Sequence, residues 1–378
     1  MESSAYRFAV VLAAVVAGAL AGTYGVQAHQ SPLGTGTSAT ITRTARAFVS
    51  RWQPRAGENQ IVLEQFSLRT GEPVADLERL PDWPVSVSDP GVSRDASLWM
   101  AVSTGPRYRS NAAGGDPAPD SCTGTVVRFN PARRATVTAL RIPRSELVTD
   151  AVPRDDGRQL ATLEGGCASS FFNQHIVIRD LRAHRRWSIA ADAAPCHALS
   201  RPAWSPDGSE LVFAYGASTL PPHSKYVPDT ICTEPRPSDL AVVAAGRPTR
   251  ISAWTLIPPS TGCSFQSAAF DSQGIVAIEG CSRGAPRPSA GDTDLGDAYL
   301  VQLDERGRVV RRLALKRGSD IGTVATDPRS GIVLVSENQA GNQGTATFDW
   351  VWIFDGHRLR VVGRYRGDAS PAITAEPW

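Results

Sequence analysis

Residues 201–215 read RPAWSPDGSELVFAY, and the reading of this stretch decides the fold. Pro202 and Trp204 on one side, and Leu211, Phe213 and Tyr215 on the other, place bulky or apolar residues at every second position. That alternation is the signature of strands with one face buried. Between them stands Ser205-Pro206-Asp207-Gly208, which is turn chemistry. Proline presets φ, aspartate bonds the backbone ahead of it, and glycine accepts φ > 0. The stretch therefore predicts strand, tight turn, strand.

The same pattern recurs. Residues 89–103, 150–165, 267–280 and 323–337 each read strand, polar turn, strand. Trp204 then corresponds to Val92, Pro153, Phe270 and Thr326, at intervals of 51 to 66 residues. A second alternating hairpin follows each of these. In the last, Val351, Ile353 and Phe354 precede an Asp355-Gly356 corner and Leu359, Val361 and Val362 follow it. Four strands at such a period are a propeller pattern, and they predict five complete blades from about Val85 to Arg366. The 33 glycines and 28 prolines suit an all-β chain with many turns.

The Trp204-Ser-Pro-Asp-Gly208 turn resembles the repeat of TolB-type β-propellers, whose inner hairpins carry this motif. The resemblance implies fold and, more loosely, partner binding in place of catalysis. We read no counterpart of that family's additional amino-terminal domain, so its particular partners do not carry over. Propellers host many unrelated functions.

The two ends of the chain predict a sixth blade. Residues 61–80 match a second hairpin, and Ser370-PAITAEPW matches the start of an inner strand. A carboxy-terminal inner strand joined to amino-terminal outer strands closes the ring and leaves no free edge at the seam. The expected fold is thus an all-β, six-bladed propeller of four-stranded antiparallel blades spanning residues 45–378. The alternative is seven blades, with further strands in Ala45–Trp52.

Ahead of the propeller, Phe8–Gly22 is an uninterrupted small and apolar run after Arg7, with Val26-Gln27-Ala28 as a cleavage site. This predicts a secretory signal peptide over residues 1–28; an uncleaved anchor is the alternative, and the run is short for a spanning helix. Residues 29–44 are Gly/Ser/Thr-rich and predict a flexible linker. The expected location is therefore the cell envelope or beyond it.

Six cysteines, Cys122, Cys167, Cys196, Cys232, Cys263 and Cys281, lie behind that signal. An even number in an exported chain predicts disulfides, and no CxxC spacing suggests zinc. In the blade scheme all six fall on the face that carries the loops between second and third strands. Keeping bridges local pairs Cys263 with Cys281 and Cys196 with Cys232, and leaves Cys122 with Cys167; fifteen connectivities are open.

That face also carries the long Pro/Gly-rich stretches 104–121, 216–238 and 282–297. Connections of this length are functional or disordered more often than short ones. Within them Arg107, Tyr108, His223 and Tyr226 are candidate binding residues, because aromatics and arginine dominate interfaces. At the start of the inner strands the alignment brings Asp89, Asp150, Arg201, Ser267 and Thr323 to the mouth of the central channel. Two carboxylates converging there are candidates for a polar ligand or a divalent cation.

No nucleophile elbow, zinc-protease motif or phosphate loop occurs. Asp95, Asp156 and Asp207 read as turn formers. The arginines of the outer hairpins, Arg133, Arg134, Arg185 and Arg186 among them, read as charges that blunt exposed edge strands. A net charge of +2 gives no argument for nucleic acid. The functional expectation is an exported, monomeric, non-enzymatic module that binds a protein or cell-envelope ligand on its loop-rich face and needs no cofactor. The alternative is a metal-assisted hydrolase or lactonase using Asp89 and Asp150.

Overall fold

The computed structural model describes residues 45–55, 58–70, 72–81, 85–104, 122–142, 146–166, 174–189, 197–219, 233–235, 238–281, 297–315, 322–339, 348–366 and 369–375. The leader and linker expectations fall outside these residues. Among the described residues no helix is long and apolar enough to cross a membrane.

Alternating strands arrange themselves into six antiparallel sheets. Blade one is built from Val85–Val87 with Gly91–Val92, then Leu98–Thr104, Thr123–Asn130 and Ala135–Arg141. Blade two is Glu146–Pro153, Gln159–Gly166, His175–Asp180 and Arg185–Ile189. Blade three is His197–Leu199 with Ala203–Trp204, then Glu210–Thr219, Asp239–Ala244 and Thr255–Ile257. Blade four is Cys263–Phe270, Ile275–Cys281, Asp297–Leu303 and Val309–Ala314, and blade five is Val324–Asp327, Ile332–Gln339, Phe348–Phe354 and Leu359–Arg366.

Blade six is composite. Ala369–Ala375 is its inner strand and pairs antiparallel with Ala45–Arg55, which continues into Glu58–Phe66 and Pro73–Pro81. Ala45–Arg55 is therefore the second strand of the sixth blade, and the described residues form six blades. The stretch read as a loop from Gly216 also differs. Gly216–Thr219 prolongs the second strand of blade three, and Thr233–Pro235 pairs with it.

Period-two alternation explains how the blades cohere. Leu211 and Phe213 point to blade two, whereas Val212 and Ala214 point to blade four. Every blade does the same, so the core is six apolar clusters, each shared by two neighbouring blades. The circuit closes with Phe48, Leu63 and Ala372 of blade six packed on Leu98, Met100 and Phe129 of blade one. Tight turns set the register. Asp207 accepts hydrogen bonds from Ser205 Oγ (2.6 Å) and the Ser209 amide (3.0 Å). Gly208 follows at φ 72°, with the Arg154 side chain packed where a Cβ would stand. Asp95 and Asp156 close the equivalent turns of blades one and two.

Fourth strands are the exposed rim. Their apolar residues Val74, Val137 and Val310 are open to solvent, interspersed with arginine.

Candidate functional site

The inner strands reach the channel mouth through a shared irregularity. In blade one, Ser88 to Pro90 interrupt the strand. Ser88 Oγ accepts the Ala101 amide (2.8 Å) in the gap. In blade three, Ser200 does the same with the Ala214 amide (2.8 Å). In blade two the pairing slips between Leu163 and Glu164, leaving Thr149 extra. In blade four it slips between Phe265 and Ser267, leaving Gln266 extra. Asp89 and Arg201 stand inside the two gaps, and Asp150 and Ser267 directly follow the two extra residues. Bulges of this kind bend a strand and re-aim the next side chain.

Three of these side chains meet. Arg201 Nη1 lies 3.9 Å from Asp89 Oδ2, and Arg201 Nε lies 3.9 Å from Asp150 Oδ1. They come from blades one, two and three. Arg201 and Asp150 are each 19% exposed. None of the three side chains takes part in a hydrogen bond among the described residues. Two carboxylates thus share one guanidinium at long range, and the hydrogen-bonding capacity of all three remains open. Burial pushes the Asp150 carboxyl up to about 7; the nearby Asp89 adds to the rise and Arg201 opposes it.

That shift has a measurable consequence. The folded Asp150 carboxyl is raised from an ordinary value of 3.8. Between about pH 4 and 7 the native state therefore binds the proton that the unfolded chain releases, and stability falls as pH rises through this window. Three pH units correspond to about 4 kcal/mol at most, and residual solvent access reduces this to roughly 1–3 kcal/mol. Asp150→Asn should accordingly melt higher than the unsubstituted protein at pH 8 and nearly equal to it at pH 4. Equal melting shifts at both pH values would show that the carboxyl is not desolvated.

Below Arg201 the channel holds a cavity of about 190 Å³, room for about six waters or one small molecule at ~30 Å³ per water. All six inner strands contribute, through Val92, Pro153, Trp204, Ala268, Val324 and Ile373. Its walls are polar and apolar in nearly equal measure, with Asp155, Ser267, Thr326, Asp327 and Arg329 among them. The far end is crossed by an ion pair between Arg329 of blade five and Asp155 of blade two (2.9 Å), with Asp327 3.5 Å from the same guanidinium. These blades face each other across the ring.

Of the other predicted residues, Cys263 and Cys281 form a disulfide that joins the first two strands of blade four. Cys122 is also disulfide-bonded, and no described cysteine is free. Cys167, Cys196, Cys232, Arg107, Tyr108, His223 and Tyr226 lie outside the described residues.

Sequence reading passed over a set of buried acids. Glu164, Glu279 and Glu337 occupy one repeat position, near the end of the second strand in blades two, four and five, and all are at most 1% exposed. Glu164 accepts from Arg179 Nη2 (3.1 Å) and from Thr162. Glu279 accepts the Ser260 amide (2.6 Å) and pairs with Arg312 (3.0 Å). Glu337 accepts from Trp352 Nε1 (2.6 Å). The Arg312 guanidinium also covers the Tyr299 ring at 3.8 Å and donates to Cys281 Sγ at 3.1 Å. Aligning the repeats one position beyond their apolar residues shows these glutamates. Their partners lie on other strands and carry no local signal.

No protein-family model matches the sequence, and no curated protein does. Solved structures are similar to it. A protein from Agrobacterium tumefaciens assigned provisionally as TolB is 11% identical, with a TM-score of 0.49, over 89% of this chain and 99% of that one. An acylaminoacyl peptidase from Pyrococcus horikoshii is 13% identical, with a TM-score of 0.42, over 73% of this chain. The match spans 39% of that peptidase's length. An oligogalacturonate lyase in complex with manganese is 12% identical, with a TM-score of 0.40, over 85% of each chain. The propeller assignment rests on the strand order and the closed circuit of six interfaces.

Proposed function

We propose that this chain is an exported, non-catalytic binding module whose ligand, a protein or another component of the cell envelope, docks over the channel mouth. One observation carries the reading: Asp89, Asp150 and Arg201 meet where the inner strands of three adjacent blades begin, with no hydrogen bond among the described residues to occupy them. Their side chains are 19–28% exposed, so their polar atoms are open to solvent and to a ligand alike. Groups held apart on a rigid ring are suited to an incoming partner. The disulfides support an oxidising compartment. The apolar signal-like run at residues 8–22 supports export.

A second reading, a hydrolase at the same mouth, is favoured by one fact: a carboxyl poised near neutrality suits proton transfer.

Capture from native envelope fractions tests the binding reading. Replacing residues 107–120 with a two-residue turn should abolish recovery of partners, while Arg133→Ala with Arg134→Ala on the opposite face should leave recovery intact. The reverse pattern would place binding on the arginine-rich face. Ester or lactone hydrolysis by the purified protein, lost in Asp150→Asn, would favour the enzyme.

A further inference from the structure

Taking the channel mouth as the binding site, we infer that the group it receives is a cation on a short apolar stem, an alkylammonium such as a lysine side chain of a protein partner. This inference rests on the reading above and adds the ligand's chemistry. Charge is the first support. Asp89 and Asp150 present two negative charges to the one positive charge of Arg201. Together these three groups carry a net charge of −1 when both carboxyls are ionised. An anion would have to displace Arg201 from two carboxylates; an ammonium would complete the pairing and donate its three N–H groups to oxygens that now accept no hydrogen bond.

The cavity is the second, independent support. It begins at Arg201, where Val152, Pro153, Pro202 and Trp204 form the apolar part of a wall that is elsewhere polar, so methylene groups placed against those four residues meet apolar surface. The ion pair of Arg329 with Asp155 crosses the other end of the same cavity, so access is from the mouth.

Proton linkage gives the proposal its own signature. Among the described residues the charged groups facing Asp150 are Arg201 and Asp89. Ammonium binding requires Asp150 to be ionised, so it should expel the proton held there at lower pH. Affinity should rise about tenfold per pH unit between pH 5 and 7 and level off above.

The test uses the whole mature protein and two probes, n-butylammonium and butyrate, in titration calorimetry at pH 5.5 and pH 8. The expected result is binding of butylammonium that is about 30-fold tighter at pH 8 than at pH 5.5, and no binding of butyrate. Repeating the pH 5.5 titration in buffers of different ionisation enthalpy should show close to one proton released, and this needs no variant that must fold. Asp150→Asn should bind butylammonium weakly and without pH dependence. Asp89→Asn should weaken binding but keep the dependence. Butyrate binding in place of butylammonium would overturn the cation while leaving the mouth as the site. Butylammonium binding without proton release would also overturn the proposal, as would a failure of both probes to bind. Loss of the docking reading itself would show separately, as partner capture that survives the loop replacement.

Discussion

Deleting residues 370–378 should open the ring and cost on the order of 5 kcal/mol or more, enough to unfold a domain whose total stability is typically 5–15 kcal/mol. Seven residue pairs tie the last strand to Ala45–Arg55. Ala372 and Ile373 are 2% and 5% exposed and enter two different clusters, one shared with blade one and one with blade five. Burying a residue of the size of isoleucine is itself worth about 2–5 kcal/mol against truncation to alanine. The strand's removal also bares the edge around Ala47, Phe48 and Val49, all at most 1% exposed in the intact ring. Such an apolar edge invites pairing with another chain. Thermal melting with size-exclusion chromatography reads both effects. A truncated chain that stayed monomeric and melted as before would contradict closure through this strand.

Trp204→Ala should destabilise by about 3–5 kcal/mol. The indole is 8% exposed and packs in the cluster shared by blades two and three. Its Nε1 donates to the Val152 carbonyl across that interface (3.0 Å). Truncation leaves a void beside the channel and an unmet carbonyl in its wall. The equivalent position in blade five shows the same role with a smaller residue: Thr326 Oγ1 donates to the Phe270 carbonyl of blade four (2.6 Å). Trp204→Thr should therefore restore part of the loss if an interblade hydrogen bond contributes beyond volume. Urea denaturation measures the difference, and a loss below about 1 kcal/mol would mark Trp204 as a surface residue.

The sequence by itself determined the repeat, because its physics is local. Ser205-Pro206-Asp207-Gly208 closes a turn through bonds within five residues. Bulky residues at every second position, Leu211, Phe213 and Tyr215, are enough to say that one face of that strand is covered; the cover over Val212 and Ala214 comes from the neighbouring blade. Matching the half-hairpin at Ser370 to the strands after Ala45 was likewise possible from pattern alone, since an inner strand was missing at one end and present at the other. Alignment even carried Asp89, Asp150 and Arg201 to one end of the channel.

What only the tertiary structure decided is how those charges meet. Their separations of 3.9 Å depend on where Ser88, Thr149 and Ser200 break the pairing and on the curvature of three blades. Neither is encoded within a hairpin. The rise of the Asp150 carboxyl follows from burial by other blades. The pairs Arg329–Asp155, Arg179–Glu164 and Arg312–Glu279 join residues up to 174 positions apart. A charged residue's partner is fixed by proximity in space, which a strand pattern with a period of two residues does not specify, and so the chemistry of the mouth became readable only once the ring was closed.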